Sequence, residues 1–355
     1  MFSEFKFIDK TLAYALKTNQ INSVDYIKLM KKITEMTPMI FDVDLYSLTN
    51  KINSKNMDIN NMRICIHPSE EQVTAAYKMG GTRLKISVAG LENRQIASRL
   101  PKVLDIACKY NIKVTLGCID ISEKLISIQN KNLLKILQEY PVEGIIVHDY
   151  KSSLDPIDTY RKLTDIKKII AANIEYGGKN GLGLATGNTL GAVKSGIYTI
   201  TTSIGGIGGF PAYEEVVMGI NRLLKIPVEV PDNIAVCCKE VLECIGVKIP
   251  NTKPIIGSNI FAHESGIHVD GIYKKSELYE PFSPEEVGLS RKIVIGKHSG
   301  RAAIEQKVRE LNLNVKSACI VSILARVRSL AIKQKTAVDD VQLEQLVKEV
   351  AVCDG

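Results

Sequence analysis

Imidazoles change charge near neutral pH, and this chain has five of them. Three, His263, His268 and His298, lie in the glycine-rich runs Phe261-Ala-His-Glu-Ser-Gly-Ile-His-Val-Asp-Gly271 and Gly296-Lys-His-Ser-Gly300. Such a run can present a ring for proton transfer, or it can simply tie a subdomain down, which is the expectation for His298. The other two, His67 and His148, stand near the ends of apolar runs with no second imidazole in register. They read as rim or core residues rather than metal ligands. Gly296–Gly300 lacks the Gly-x-x-x-x-Gly-Lys-Ser/Thr spacing of a phosphate loop, and Gly205-Gly-Ile-Gly-Gly-Phe210 misses the dinucleotide spacing. The eight cysteines include no Cys-x-x-Cys pair and mostly sit in apolar surroundings, so reduced thiols are expected rather than a zinc site or disulfide framework.

The elements that must position these residues alternate. Short β-branched runs are expected as strands over 5–9, 39–44, 63–67, 83–88, 113–120, 144–149, 169–176 and 199–204, with amphipathic stretches between them. Strand-then-helix units repeated in this way predict an α/β protein with a parallel (β/α)8 TIM barrel, whose active face lies at the strand C-termini; a doubly wound open sheet is the other topology the pattern allows. The organisation expected is a barrel over 1–228, a linker or accessory subdomain over 229–300 and a helical C-terminal subdomain over 301–355. The chain's 355 residues accommodate this, and its net charge of +7 without a basic block suggests a solvated surface rather than a nucleic-acid site. No signal-peptide pattern and no apolar run of about 20 residues occurs, so a cytoplasmic protein without membrane or nucleic-acid partners is expected.

The segment 261–271, with Glu277-Leu-Tyr-Glu-Pro-Phe-Ser-Pro-Glu-Glu-Val-Gly288 and Gly296–Gly300, resembles the accessory region of homocitrate synthases. These belong to the Claisen-condensing, metal-dependent TIM-barrel synthases. Gly183-Leu-Ala-Thr-Gly-Asn-Thr-Leu-Gly-Ala-Val193 resembles the helix start after their seventh strand, so the likeness spans essentially the whole chain.

Against that family the barrel departs where the chemistry is done. The family's first strand ends in Asp-Thr-Thr-Leu-Arg-Asp, whereas this chain reads Asp9-Lys-Thr-Leu-Ala-Tyr14, placing Ala13 at the keto-acid arginine and Tyr14 at the metal aspartate. The family's His-x-His is matched by Gly177 and Lys179, and the turn after strand eight is shortened to Gly206-Ile-Gly-Gly-Phe-Pro211. An ammonium repels a divalent cation, so this barrel is expected to hold no metal and to lack condensation activity of its own.

The accessory motif is retained. The resemblance implies that His268 and Tyr279 join the acid/base network around the acetyl-CoA carbonyl, with His263, Glu264 and Asp270 orienting them. The likeness is greatest to the omega chain of two-chain homocitrate synthases, in which the arm would serve the barrel of a catalytic alpha-type partner holding Mg2+ or Mn2+. The implied reaction joins acetyl-CoA, 2-oxoglutarate and water to give homocitrate and CoA, supplying the organic ligand of the nitrogenase iron–molybdenum cofactor. Two alternatives stay open: an inactive regulatory paralogue, or a barrel that uses Tyr14 and Lys179 to bind an anion.

Overall fold

A computed structural model describes residues 5–18, 25–51, 59, 61–88, 94–121, 131–264, 275 and 278–353. Contacts divide the chain into two units, Met1–Ile249 and Pro250–Gly355.

In the first unit, β1 (Lys6–Asp9), β2 (Met39–Asp44), β3 (Met62–Ile66), β4 (Arg83–Ser87), β5 (Lys113–Asp120), β6 (Val142–Asp149), β7 (Asn173–Gly178) and β8 (Thr199–Thr202) close into one barrel in sequence order. The expected barrel is therefore the fold, and the open sheet is not. Every neighbouring pair is parallel, including the closing β1–β8 pair.

The connecting helices are α1 (Thr11–Lys17), α2 (Asp25–Met36), α3 (Leu45–Lys51), α4 (Glu70–Lys78), α5 (Arg94–Lys109), α6 (Lys131–Glu139), α7 (Pro156–Ile169) and α8 (Ala185–Lys194). Beyond β8 lie α9 (Tyr213–Gly219) and α10 (Ile234–Cys244). Local sequence explains their placement. On α2, Tyr26, Leu29, Met30 and Ile33 recur at helical spacing and are all buried, which seats that face on the barrel. The start of α7 is set by Asp155, whose carboxylate accepts the N–H groups of Ile157 and Asp158, and by Pro156 in the first turn.

Six of the eight strands shift by one to four residues at an end, and the largest shift from the expected range is at the start of β7. The run Ile169-Ile170-Ala171-Ala172 was expected to open β7, but α7 continues to Ile169 and the strand begins at Asn173. Leu163 and Ile166 are buried at helical spacing, so the helix runs on to Ile169, and Ile170 is the buried, extended residue that ends it.

In the second unit, β9 (Ala262–His263) pairs in parallel with β10 (Lys292–Ile293). Three helices follow, α11 (Arg301–Glu310), α12 (Ile320–Gln334) and α13 (Asp340–Cys353), sharing a core that includes Ile304, Ile323, Val327 and Leu343. No described helix is long and apolar enough to cross a membrane.

Candidate functional site

Charged side chains sit inside the barrel where parallel strands normally carry an apolar run. Asp42 on β2, Arg63 on β3 and Glu175 on β7 can meet only in the interior, and they do. The Arg63 guanidinium donates to Asp42 Oδ1 at 2.6 Å and to both Glu175 oxygens at 2.6 and 3.0 Å. Thr201 Oγ1 on β8 donates to Glu175 Oε1 at 2.7 Å, so four strands are tied together.

Nearer the C-terminal rim, Lys10 Nζ donates to Asp42 Oδ2 at 2.5 Å, and Lys85 Nζ lies 3.5 Å from the same oxygen. Although burial opposes it, Arg63, Lys10 and Lys85 hold the Asp42 carboxyl well below the usual carboxylate range. Burial, followed by the charge of Lys10, lowers the Lys85 ammonium instead. Cys65, beside these lysines, is pushed up by burial and stays a thiol.

The positions that the resemblance matches to metal ligands, Tyr14, Gly177 and Lys179, all fall among the described residues. Gly177 faces the interior, and a Cβ placed on it would come 2.9 Å from Nδ1 of His148. The imidazole of β6 has thus taken the space of a side chain on β7. His148 is buried, stacks on Tyr150 with centroids 4.3 Å apart, and is driven well below its ordinary pKa by burial and then by Lys85 and Lys10.

Lys179 donates to the carbonyl of Gly208 at 2.9 Å and lies 3.4 Å from the centroid of the Phe210 ring. Burial, with Lys10, Lys17 and Lys85 behind it, lowers its pKa to about 8. Tyr14 is half-buried against the same loop: Gly208 has φ +67°, and a Cβ there would stand 3.1 Å from Tyr14 Cδ2. Tyr14, Gly177 and Lys179 supply no set of hard ligands and bring an ammonium to the rim. Among the described residues no group of three His, Cys, Asp or Glu side chains could hold a metal ion, so those described at the mouth do not fit a divalent cation.

Asp9 is fully buried and accepts the Leu12 N–H at 3.0 Å, so it starts α1 rather than facing the mouth. His67 is exposed on a cleft of about 460 Å³ at the rim, together with Asp44, Tyr46 and Cys65. A second cavity, of about 290 Å³, opens at the opposite end of the barrel over Arg63 and Glu175, the end where barrels carry stability rather than chemistry.

In the second unit, the expected residues fall partly within the described ones. His268 and Asp270 lie outside them. Glu264 Oε1 accepts the backbone N–H of His298 at 2.9 Å, and a Cβ on Gly296 would approach that oxygen to 2.4 Å. Ser299 Oγ closes the turn by accepting the Gly296 N–H at 2.8 Å. The Gly-Lys-His-Ser-Gly loop therefore cradles Glu264 with backbone and glycine, and the exposed His298 ring takes no part in that contact. His263 Nε2 lies 3.7 Å from Glu280 Oε1. Arg291 grips Glu280 through Nη2 at 2.7 Å, while the adjacent Tyr279 is 42% exposed. His263, Glu264, Tyr279 and His298 are thus brought into one neighbourhood by β9, β10 and the loops that follow.

Sequence reasoning missed the Lys10–Asp42–Arg63–Lys85–Glu175 network. Its signal was present, since each of Asp42, Arg63, Lys85 and Glu175 is a charge flanked on both sides by apolar residues inside its strand.

A closed parallel barrel with a trailing helical unit is the frame of the HMGL-like proteins. Residues 55–236 match the HMGL-like family, and residues 255–335 match the homocitrate synthase post-HMGL domain. The chain is 30% identical over 298 residues to homocitrate synthase 1 of Nostoc sp., covering 82% of this chain and 78% of that protein. It is 31% identical to the homocitrate synthase omega subunit of Clostridium pasteurianum, over 68% of this chain and 67% of that one. It is 39% identical to 2-isopropylmalate synthase 2 of Caldanaerobacter subterraneus subsp. tengcongensis, over 56% of this chain and 53% of that protein. Among solved structures, HMG-CoA lyase of Bacillus subtilis superposes with a TM-score of 0.56 at 16% identity, over 70% of this chain and 95% of that one, a likeness of fold. The chain belongs to the homocitrate synthase family of condensing acyltransferases, with an HMGL-like barrel followed by the post-HMGL domain.

Proposed function

We propose that this chain is one subunit of a two-chain homocitrate synthase and that its accessory segment, not its barrel, contributes to catalysis. The observation that carries the reading is the contrast within one sequence. The barrel mouth has Ala13, Tyr14, Gly177 and Lys179 where the family resemblance places an arginine and metal ligands, while the His-Glu-Ser-Gly-Ile-His segment is intact.

In this reading a catalytic alpha-type chain supplies the keto-acid pocket and the divalent cation, Mg2+ or Mn2+. This chain holds no metal, and its barrel serves as a docking body. His268 exchanges a proton with the acetyl-CoA methyl or its enolate, Tyr279 positions the ring or its water, and His263, Glu264 and Asp270 are its supporting partners. The reaction is acetyl-CoA + 2-oxoglutarate + water → homocitrate + CoA, with a role in nitrogen fixation. The similarity to the omega subunit of Clostridium pasteurianum, whose name presupposes another subunit, supports the two-chain arrangement.

The test is reconstitution. CoA release is measured from acetyl-CoA and 2-oxoglutarate with the partner alone, this chain alone and the mixture. Activity is expected only in the mixture, and His268→Ala in this chain should reduce it at least a hundredfold, in line with the ~100- to 10,000-fold that a positioned acid/base supplies. A partner that is fully active by itself, or an unaffected His268→Ala mixture, rejects the reading.

A binding role for the barrel is a second reading, favoured by the lysines that gather at its mouth.

A further inference from the structure

Burial reverses between neighbours in the second unit. Leu278 and Tyr279 are 71% and 42% exposed, whereas the next residue, Glu280, is only 8% exposed although it is a carboxylate. A buried carboxylate persists where it is both paired and hydrogen-bonded. Arg291 supplies both, with Nη2 donating to Oε2 at 2.7 Å and Nε lying 3.0 and 3.1 Å from Oε1 and Oε2. His263 Nε2 on β9 stands 3.7 Å from Oε1 of the same group.

The residues that follow are fixed as well. The Phe282 ring meets Phe261 edge to face with centroids 5.5 Å apart. The Ser283 N–H donates to Glu286 Oε1 at 2.9 Å in a capping box that starts a short 3-10 helix, Pro284–Val287. Arg291 Nη1 reaches that helix too, 3.3 Å from Glu285 Oε1. Tyr279 thus stands at the edge of a stretch held by an ion pair, a ring contact and a cap.

We propose that Glu280 and Arg291 are positioning residues for Tyr279: the buried pair fixes the turn from which the phenol projects, so that its hydroxyl is in place before a partner's active site closes on it. Chemistry distinguishes this anchor from ordinary packing. An apolar side chain would hold the turn down but let it slide, whereas a guanidinium fork on a carboxylate fixes direction as well as distance. A catalytic group has to stay within about 0.5 Å of its working position, and a half-exposed ring draws that order from the backbone beneath it. The benefit to catalysis rests on the trans-acting reading of Tyr279, whereas the positioning itself is a property of this chain alone.

Two readouts test it separately. The chain has no tryptophan, so Tyr279→Trp places a single indole at the position. In the isolated chain, acrylamide quenching of that indole should rise at least twofold with Arg291→Met, and less with Arg291→Lys, which keeps the charge without the fork. Where Arg291→Met does not fold, Glu280→Gln combined with it removes both charges of the buried pair and takes its place. In the reconstituted mixture, with Tyr279 intact, Glu280→Gln should lower kcat at least tenfold while KM for both substrates stays within threefold. The double variant should do no worse than the worse single one, because both substitutions act through one contact. Quenching that is the same in the parent and in every folded variant overturns the proposal, as does a mixture in which kcat holds, KM rises instead, or the two losses multiply. A parent mixture without activity rejects trans-catalysis and leaves the quenching to decide the anchor.

Discussion

At the scale of single residues, Arg63 decides the state of the barrel interior. Its guanidinium is 4% exposed and satisfies two carboxylates on two other strands. Removing one partner of a buried pair leaves the others charged and dehydrated, which costs about 3–5 kcal/mol. Arg63→Met should therefore lower stability by ~3–5 kcal/mol at pH 7 in urea unfolding. The pH dependence follows from Asp42, whose carboxyl is held well below its ordinary value. Such a group contributes stability above its unfolded pKa of about 3.9, and the contribution is lost as pH falls through the lower folded value. The gap between parent and Arg63→Met should accordingly be widest near neutrality and close below about pH 4. A gap that widens with acid would contradict the assigned ion pairs.

At the scale of elements, the Gly-Lys-His-Ser-Gly loop is a backbone device. Gly296 must lack a side chain because Glu264 lies where a Cβ would go, and the His298 amide is satisfied by that carboxylate. Gly296→Ala should break this bond and raise amide exchange at His298 by about tenfold or more, since a hydrogen bond to a charged group is worth about 1.5–3 kcal/mol. Glu264→Gln keeps an acceptor and should raise it less than Glu264→Ala. Equal exchange in all four proteins would show that the loop does not depend on Glu264. Imidazole replacement, as in His298→Ala, leaves the backbone contact intact, in keeping with the tie-down expected of this histidine.

At the scale of the whole molecule, a barrel that forms completely can still depart from its family at the mouth, because the strand ladder and the rim are specified by different residues. Parallel pairing needs apolar faces on β1–β8, and these are present. Divalent-metal binding needs hard ligands at a few rim positions, which the family resemblance matches to Tyr14, Gly177 and Lys179. Calorimetry of the isolated chain with Mn2+ or Mg2+ is expected to show no saturable one-to-one binding. A tight site at the barrel mouth would mean that other residues supply the ligands and that the family positions are matched wrongly.

The sequence by itself determined the eight strand-helix units, the helical end and the resemblance carried by the accessory motif. Each of these is written in local order, as periodicity or as a contiguous motif. It misplaced the start of β7 because Ile169-Ile170 suits a helix face as well as a strand, and packing beside Leu163 and Ile166 made the choice. Only the tertiary structure decided that Asp42, Arg63 and Glu175 form one network and that His148 fills the space beside Gly177. The physical reason is closure: these residues lie on strands far apart in the chain, and their charges acquire partners only when the first strand pairs with the eighth.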